Sequence, residues 1–147
     1  MLIATWNVNS IRTRLSQVIN WINQVNPDIL CLQETKVIDN DFPFEPFEKL
    51  GYQVVVNGQK SYNGVAIISK INIENVNKGF ISEPKEENIG KEFIEQRRLI
   101  SAVINGLKII NVYVPNGSSL DSDKFKYKIE WLKYLSSFLN QQEKEGE

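Results

Sequence analysis

Two polar residues close two apolar runs. Asn7 follows Leu2–Trp6, and Glu34 follows Asp28–Gln33. If those runs are parallel neighbouring strands, the amide and the carboxylate share one sheet edge, where ligand sites of α/β folds gather. Such oxygen donors suit Mg²⁺, which keeps several waters; the same residues also serve an ordinary turn and a solvated loop. In Gln33-Glu34-Thr35-Lys36 an amide and a hydroxyl flank the carboxylate, and Lys36 adds positive charge. Gln59-Lys60 precedes Asn63-Gly64-Val65-Ala66, and Gln96-Arg97-Arg98 opens a further apolar run. Arginine pairs suit bidentate phosphate contacts, although many are only solvated charge. In Asn111-Val112-Tyr113-Val114-Pro115-Asn116-Gly117 a phenol stands at a strand mouth. It could donate to a phosphate oxygen, help to place a nucleophile, or simply sit at a sheet edge. Lys124, Lys126, Lys128 and Lys133 could meet a phosphate backbone or keep a helix soluble.

Several chemistries are excluded. The 147 residues contain no histidine, so no Ser-His-Asp triad, Cys-His pair or His-ligated zinc can form within them. The single cysteine, Cys31, rules out an internal disulfide and lies in an apolar run that predicts a buried thiol. A net charge of −1 means that any polyanion binding needs a local basic face. The N-terminal residues lack the basic segment and long apolar core of a secretory signal, and no apolar run predicts a membrane span. The expected location is cytoplasmic.

The elements that must position these groups follow from periodicity. Leu2–Trp6 and Asp28–Gln33 read as buried strands. Between them Ser10 can cap a helix whose face is Ile11, Leu15, Val18, Ile22 and Val25. A short helix over 44–50 stops at Gly51. Strands are predicted over 52–56, 65–69 and 75–81, and a polar loop over 83–92. A hairpin of 99–104 and 108–114 turns at Asn105-Gly106. A long helix over 121–142 carries the stripe Phe125, Ile129, Leu132, Leu135 and Leu139, widened by Trp131, Tyr134 and Phe138. The expected class is α/β (α+β), a mixed sheet covered by helices.

In order, these strings resemble the exonuclease III family of DNA-repair nucleases, within the endonuclease/exonuclease/phosphatase superfamily. The resemblance rests on Trp6-Asn7-Val8-Asn9-Ser10-Ile11-Arg12, Pro27 through Lys36, Leu50-Gly51-Tyr52, Gly58-Gln59-Lys60, Gly64-Val65-Ala66-Ile67, Gln96-Arg97-Arg98 and Asn111 through Gly117. It implies part of a four-layer α/β sandwich, with two long helices on the outer face of a mixed sheet. It implies that Glu34 and Asn7 hold Mg²⁺, or Mn²⁺ in its place, and that Tyr113 lies against the scissile phosphate. Arg97, Lys60, Lys124, Asn116 and Lys36 would face DNA. The implied substrate is double-stranded DNA with abasic sites or 3′ ends.

The family's Gly-Asp-x-Asn and Ser-Asp-His motifs are absent. The chain therefore reads as the N-terminal portion of one domain, partnered by a C-terminal half and supplying mainly one of the family's two facing sheets. Two other readings stay open: a DNA- or partner-binding fragment without activity, and another phosphoesterase of the superfamily.

Overall fold

The computed structural model describes residues 1–80 and 96–145, so the predicted loop over 83–92 lies outside the described residues. These fall into two units, one of Met1–Gly79 with Gln96–Tyr113, the other comprising Phe80 and the chain from Val114 onward.

The first unit begins with β1 (Ile3–Asn7), α1 (Ile11–Val25) and β2 (Ile29–Gln33). Ser10 caps α1 by accepting the Thr13 amide at 3.3 Å. Asn26, left-handed at φ 55°, ends the helix and donates its own amide to Ile22 O. The helix returns the chain beside its start, so β1 and β2 run parallel with Asn7 opposite Gln33. A 3₁₀ turn at Asp39–Asp41 and the short α2 (Phe44–Lys49) precede β3 (Gln53–Asn57) and β4 (Val65–Ser69). Both later strands are antiparallel to their neighbours, giving a mixed sheet of order β1-β2-β4-β3. A second, antiparallel sheet has the order β5 (Ile73–Lys78), β6 (Leu99–Ile104), β7 (Leu107–Val112).

Side-chain alternation gives the first sheet two buried faces. On one face Leu30, Leu32, Ala66 and Ile68 pack with Ile11, Val18 and Ile22 of α1 and Phe47 of α2. On the other, Ile29, Cys31, Val65 and Ile67 pack against Ile100, Ala102 and Ile104 of the second sheet. The expectation that the chain supplies mainly one sheet is thereby corrected: both facing sheets are present and cover one another. The sequence hid this because a half-exposed β5 and a hairpin do not announce which face they seek.

β1 also departs from expectation. Ile3, Thr5 and Asn7 are exposed, and among the described residues β1 pairs with β2 alone. Along α1, Val25 is exposed while Ile11, Val18 and Ile22 are buried.

In the second unit α3 spans Asp123–Glu145, and the Phe125 amide donates to Ser122 Oγ at 3.1 Å. Its buried residues are Trp131 and Phe138, whereas Ile129 and Leu139 of the predicted stripe are exposed. Phe80 explains the rotation of the buried face. Its ring meets Trp131, Tyr134 and Phe138 at centroid distances of 5.6, 6.3 and 5.9 Å, aromatic contacts that outweigh aliphatic periodicity.

Candidate functional site

The parallel β1–β2 pairing brings the ends of both strands to one edge, and backbone bonds fix the turns beyond them. The amides of Val8, Ser10 and Ile11 donate to the carbonyls of Gln33, Glu34 and Thr35 at 3.0, 2.8 and 3.1 Å. Asn7 Oδ1 accepts the Asn9 amide at 3.1 Å, and Asn9 Oδ1 accepts Lys36 Nζ at 2.5 Å. Asn7, Glu34 and Lys36 thus belong to one stitched surface.

The backbone there is unusual. Glu34 and Lys36 both have φ 57°, the left-handed region that residues with a Cβ seldom occupy. The neighbouring loop answers this shape. Thr35 and Lys36 donate their amides to Gly64 O and Asn63 O at 3.2 and 2.9 Å, and Ser61 donates to Lys36 O. Gly64 sits at φ 90°, and a Cβ there would overlap Thr35 Oγ1. Glycine is required for this close approach.

β7 supplies the facing group. Tyr113, the residue after β7, donates its phenolic O–H to Glu34 Oε1. Burial, then the hydrogen bond and charge of Glu34, push the Tyr113 phenol up from its ordinary value, opposed by the Arg98 charge. The phenol therefore stays protonated as a donor. Arg97 is exposed, yet its backbone is held in the same region. Its amide donates to Gln59 Oε1 at 2.9 Å, and its carbonyl accepts the Gly64 amide at 2.9 Å. Lys60 is exposed beside Ser61 on the same loop.

Of the residues singled out in the sequence, Asn7, Glu34, Lys36, Lys60, Arg97 and Tyr113 lie in this one unit. Asn116 and Lys124 lie in the second. Asn116 Oδ1 accepts the Ser118 amide at 3.0 Å, and Lys124 is exposed on the first turn of α3.

A supporting layer escaped the sequence reading. Asn111, buried in β7, donates Nδ2 to Leu32 O and Ala66 O at 2.9 and 2.8 Å. Its Oδ1 accepts Gln33 Nε2 at 2.8 Å, and the same nitrogen reaches Thr5 Oγ1 at 2.8 Å. One amide thus bridges the two sheets directly behind Glu34 and Tyr113. The available signal was an amide within the apolar run Leu107–Val112, since buried polar groups are hydrogen-bonded groups. Arg98, read in the sequence as one of an arginine pair suited to phosphate, is half-buried, unlike Arg97.

The candidate donors at this edge are the Glu34 carboxylate and the Asn7 amide, and no group of three or more His, Cys, Asp or Glu that could hold a metal ion forms among the described residues. Few protein oxygens and no nitrogen or sulfur suit a hard cation that keeps several waters, and do not suit zinc.

The fold and site define a layered α/β protein whose strand ends present a carboxylate, an amide, a phenol and cationic side chains. Residues 4–121 match the family described as the endonuclease/exonuclease/phosphatase family, and the chain belongs to it. It is 33% identical over 147 residues to exodeoxyribonuclease III of Haemophilus influenzae, covering 97% of this chain and 52% of the relative. An AP endonuclease structure from Archaeoglobus fulgidus matches with a TM-score of 0.85 and 49% identity, covering 96% of this chain and 52% of the other. A 3′ phosphatase from Neisseria, solved with a product DNA hairpin, matches with a TM-score of 0.88 and 42% identity over 98% and 53%. The chain spans about half the length of each of these relatives. Among the described residues no helix is long and apolar enough to cross a membrane.

Proposed function

We propose that this chain carries the metal-holding and phosphate-facing part of a DNA phosphodiester hydrolase of the exodeoxyribonuclease III or abasic-site endonuclease type. The observation that carries the reading is the Tyr113–Glu34 hydrogen bond, which joins the ends of β7 and β2 at one edge. Glu34 and Asn7 would hold a divalent cation, Mg²⁺ or Mn²⁺. When bound, the cation supplies positive charge to an oxygen of the reacting phosphate. Tyr113 fixes the carboxylate through its one O–H, and that proton would turn to a phosphate oxygen once the cation takes its place on Glu34. Arg97, Lys60 and Lys36 add positive charge on the same unit, which suits backbone contacts that place DNA without reading its sequence. The kinship with a 3′ phosphatase captured on a DNA hairpin supports DNA as the substrate, and the kinship with a structure named an AP endonuclease motivates abasic sites beside 3′ ends.

With no histidine and no Gly-Asp pair in the chain, the groups that activate water are proposed to come from outside it, from a C-terminal half of the same domain. The test measures binding and incision of a duplex with one abasic analogue, a duplex with a 3′-phosphate end and an intact duplex, each with Mg²⁺ or EDTA. Binding should be metal-assisted, lost in Glu34→Gln, and followed by little incision. Binding indifferent to both metal and Glu34 would refute the metal-site reading. Full-rate incision by this chain alone would refute the external origin of the water-activating groups.

A further inference from the structure

We infer that Arg98 is a positioning residue that holds the Tyr113 phenol on Glu34, while its neighbour Arg97 is left to face solvent. This rests on the proposed metal-holding role of Glu34. Arg98 grips Tyr113 from three sides. Its carbonyl accepts the Tyr113 amide at 2.8 Å, extending the β6–β7 ladder by one residue. Its Nη1 donates to Tyr113 O at 3.3 Å. Its guanidinium carbon lies 4.9 Å from the centre of the Tyr113 ring, in cation–π range. Gln96 Oε1 accepts Arg98 Nε at 2.8 Å and orients the guanidinium. The order of support is thus Gln96, Arg98, Tyr113, Glu34.

A tyrosine has two side-chain torsions, and a flat cation stacked on one ring face while bonded to the same residue's carbonyl restrains them. Lysine keeps the charge but has neither the plane nor the fork. Arg98→Lys therefore separates geometry from electrostatics.

The experiment measures Mn²⁺ affinity of the whole chain by calorimetry for wild type, Glu34→Gln, Arg98→Lys, Tyr113→Phe and the Arg98→Lys/Tyr113→Phe double variant. Loss of a residue that orients a ligand typically costs about 10-fold or more in metal affinity, and that weakening is expected for Arg98→Lys. In the Tyr113→Phe background the same change should cost less than about twofold, because the hydroxyl through which it acts is gone. A merely structural role would weaken both backgrounds alike.

A second readout needs no metal. With 3-fluorotyrosine at the five tyrosines, the Tyr113 fluorine resonance, assigned with Tyr113→Phe, should shift in Arg98→Lys while that of Tyr52 stays. Mn²⁺ binding lost in Glu34→Gln but unchanged in Arg98→Lys, or a Tyr113 resonance unmoved by that variant, would overturn the inference alone. No Mn²⁺ binding by the wild type would overturn the proposed function and this inference with it.

Discussion

Replacing Asn111 by leucine keeps the number and branching of side-chain heavy atoms, with somewhat more bulk, and removes three hydrogen bonds from the bridge between the sheets. The partners remain: two carbonyls, Leu32 O and Ala66 O, each lose a donor, and Gln33 keeps only Thr5. Because one side alone is replaced, the abandoned groups keep their desolvation cost, and the sum is about 2–4 kcal/mol. For a chain of this size that lowers the melting midpoint by about 5–15 °C. Circular dichroism melts of wild type and Asn111→Leu test this, and a loss below about 2 °C would refute the bridging argument.

Asn111→Asp adds a sign that can be checked. A carboxyl at this buried position has its folded pKa raised, so its neutral form is the one that folds. Its penalty should be largest above the folded pKa and shrink as pH falls toward the unfolded carboxyl value near about 4. A gap between the Asp and Leu variants that widens with falling pH would refute the assignment.

Cys31, whose thiol burial pushes up to about 11, should react with a disulfide reagent at pH 8 only after denaturant is added. Because the folded thiol resists ionisation, stability should fall as pH rises from 9 toward 11; rapid labelling of the native chain would contradict its burial. Gly64→Ala meets Thr35 as well as an unfavourable φ, whereas Gly51→Ala meets nothing within 4 Å. The second, with the same φ of 90° but no clash, should cost about 1–2 kcal/mol, and thermal melts should show a clearly larger loss for the first; equal losses would dismiss the close-approach argument. Arg97→Ala should weaken DNA binding and reduce the salt-dependence slope by about one unit; anisotropy titrations with an unchanged slope would remove Arg97 from the phosphate contacts.

The parts legible in the sequence were those set by local pattern. The strand–helix–strand order of β1, α1 and β2 followed from the Ile11–Ile22 periodicity and the Ser10 cap, and parallel pairing then placed Asn7 and Glu34 on one edge. The Asn105-Gly106 turn located the β6–β7 hairpin. Non-local facts were out of reach. Nothing in Leu2–Trp6 announces that alternate residues of β1 are exposed, and nothing in α3 announces that Phe80 will select Trp131 and Phe138. Arg97 and Arg98 are identical as letters. Their exposures differ, Arg97 facing solvent and Arg98 half-buried, and nothing in the letters says which of two consecutive residues turns inward.

The bond between Tyr113 and Glu34 joins residues 79 positions apart, and this separation puts a clock on the molecule as it is made. The first sheet can pair once Ser69 has left the ribosome, for its four described strands lie between Ile3 and Ser69. The face that β6 covers, and the partner of the Glu34 carboxylate, arrive only with residues 99 to 113. At about 5–20 residues per second, Glu34 waits on the order of 4–16 s for its phenol. During that interval Ile29, Cys31, Val65 and Ile67 have no second sheet above them. A nascent chain halted between Ser69 and Ile104 is expected to bind a holdase chaperone through that uncovered apolar face, and one halted after Tyr113 is expected to bind it less.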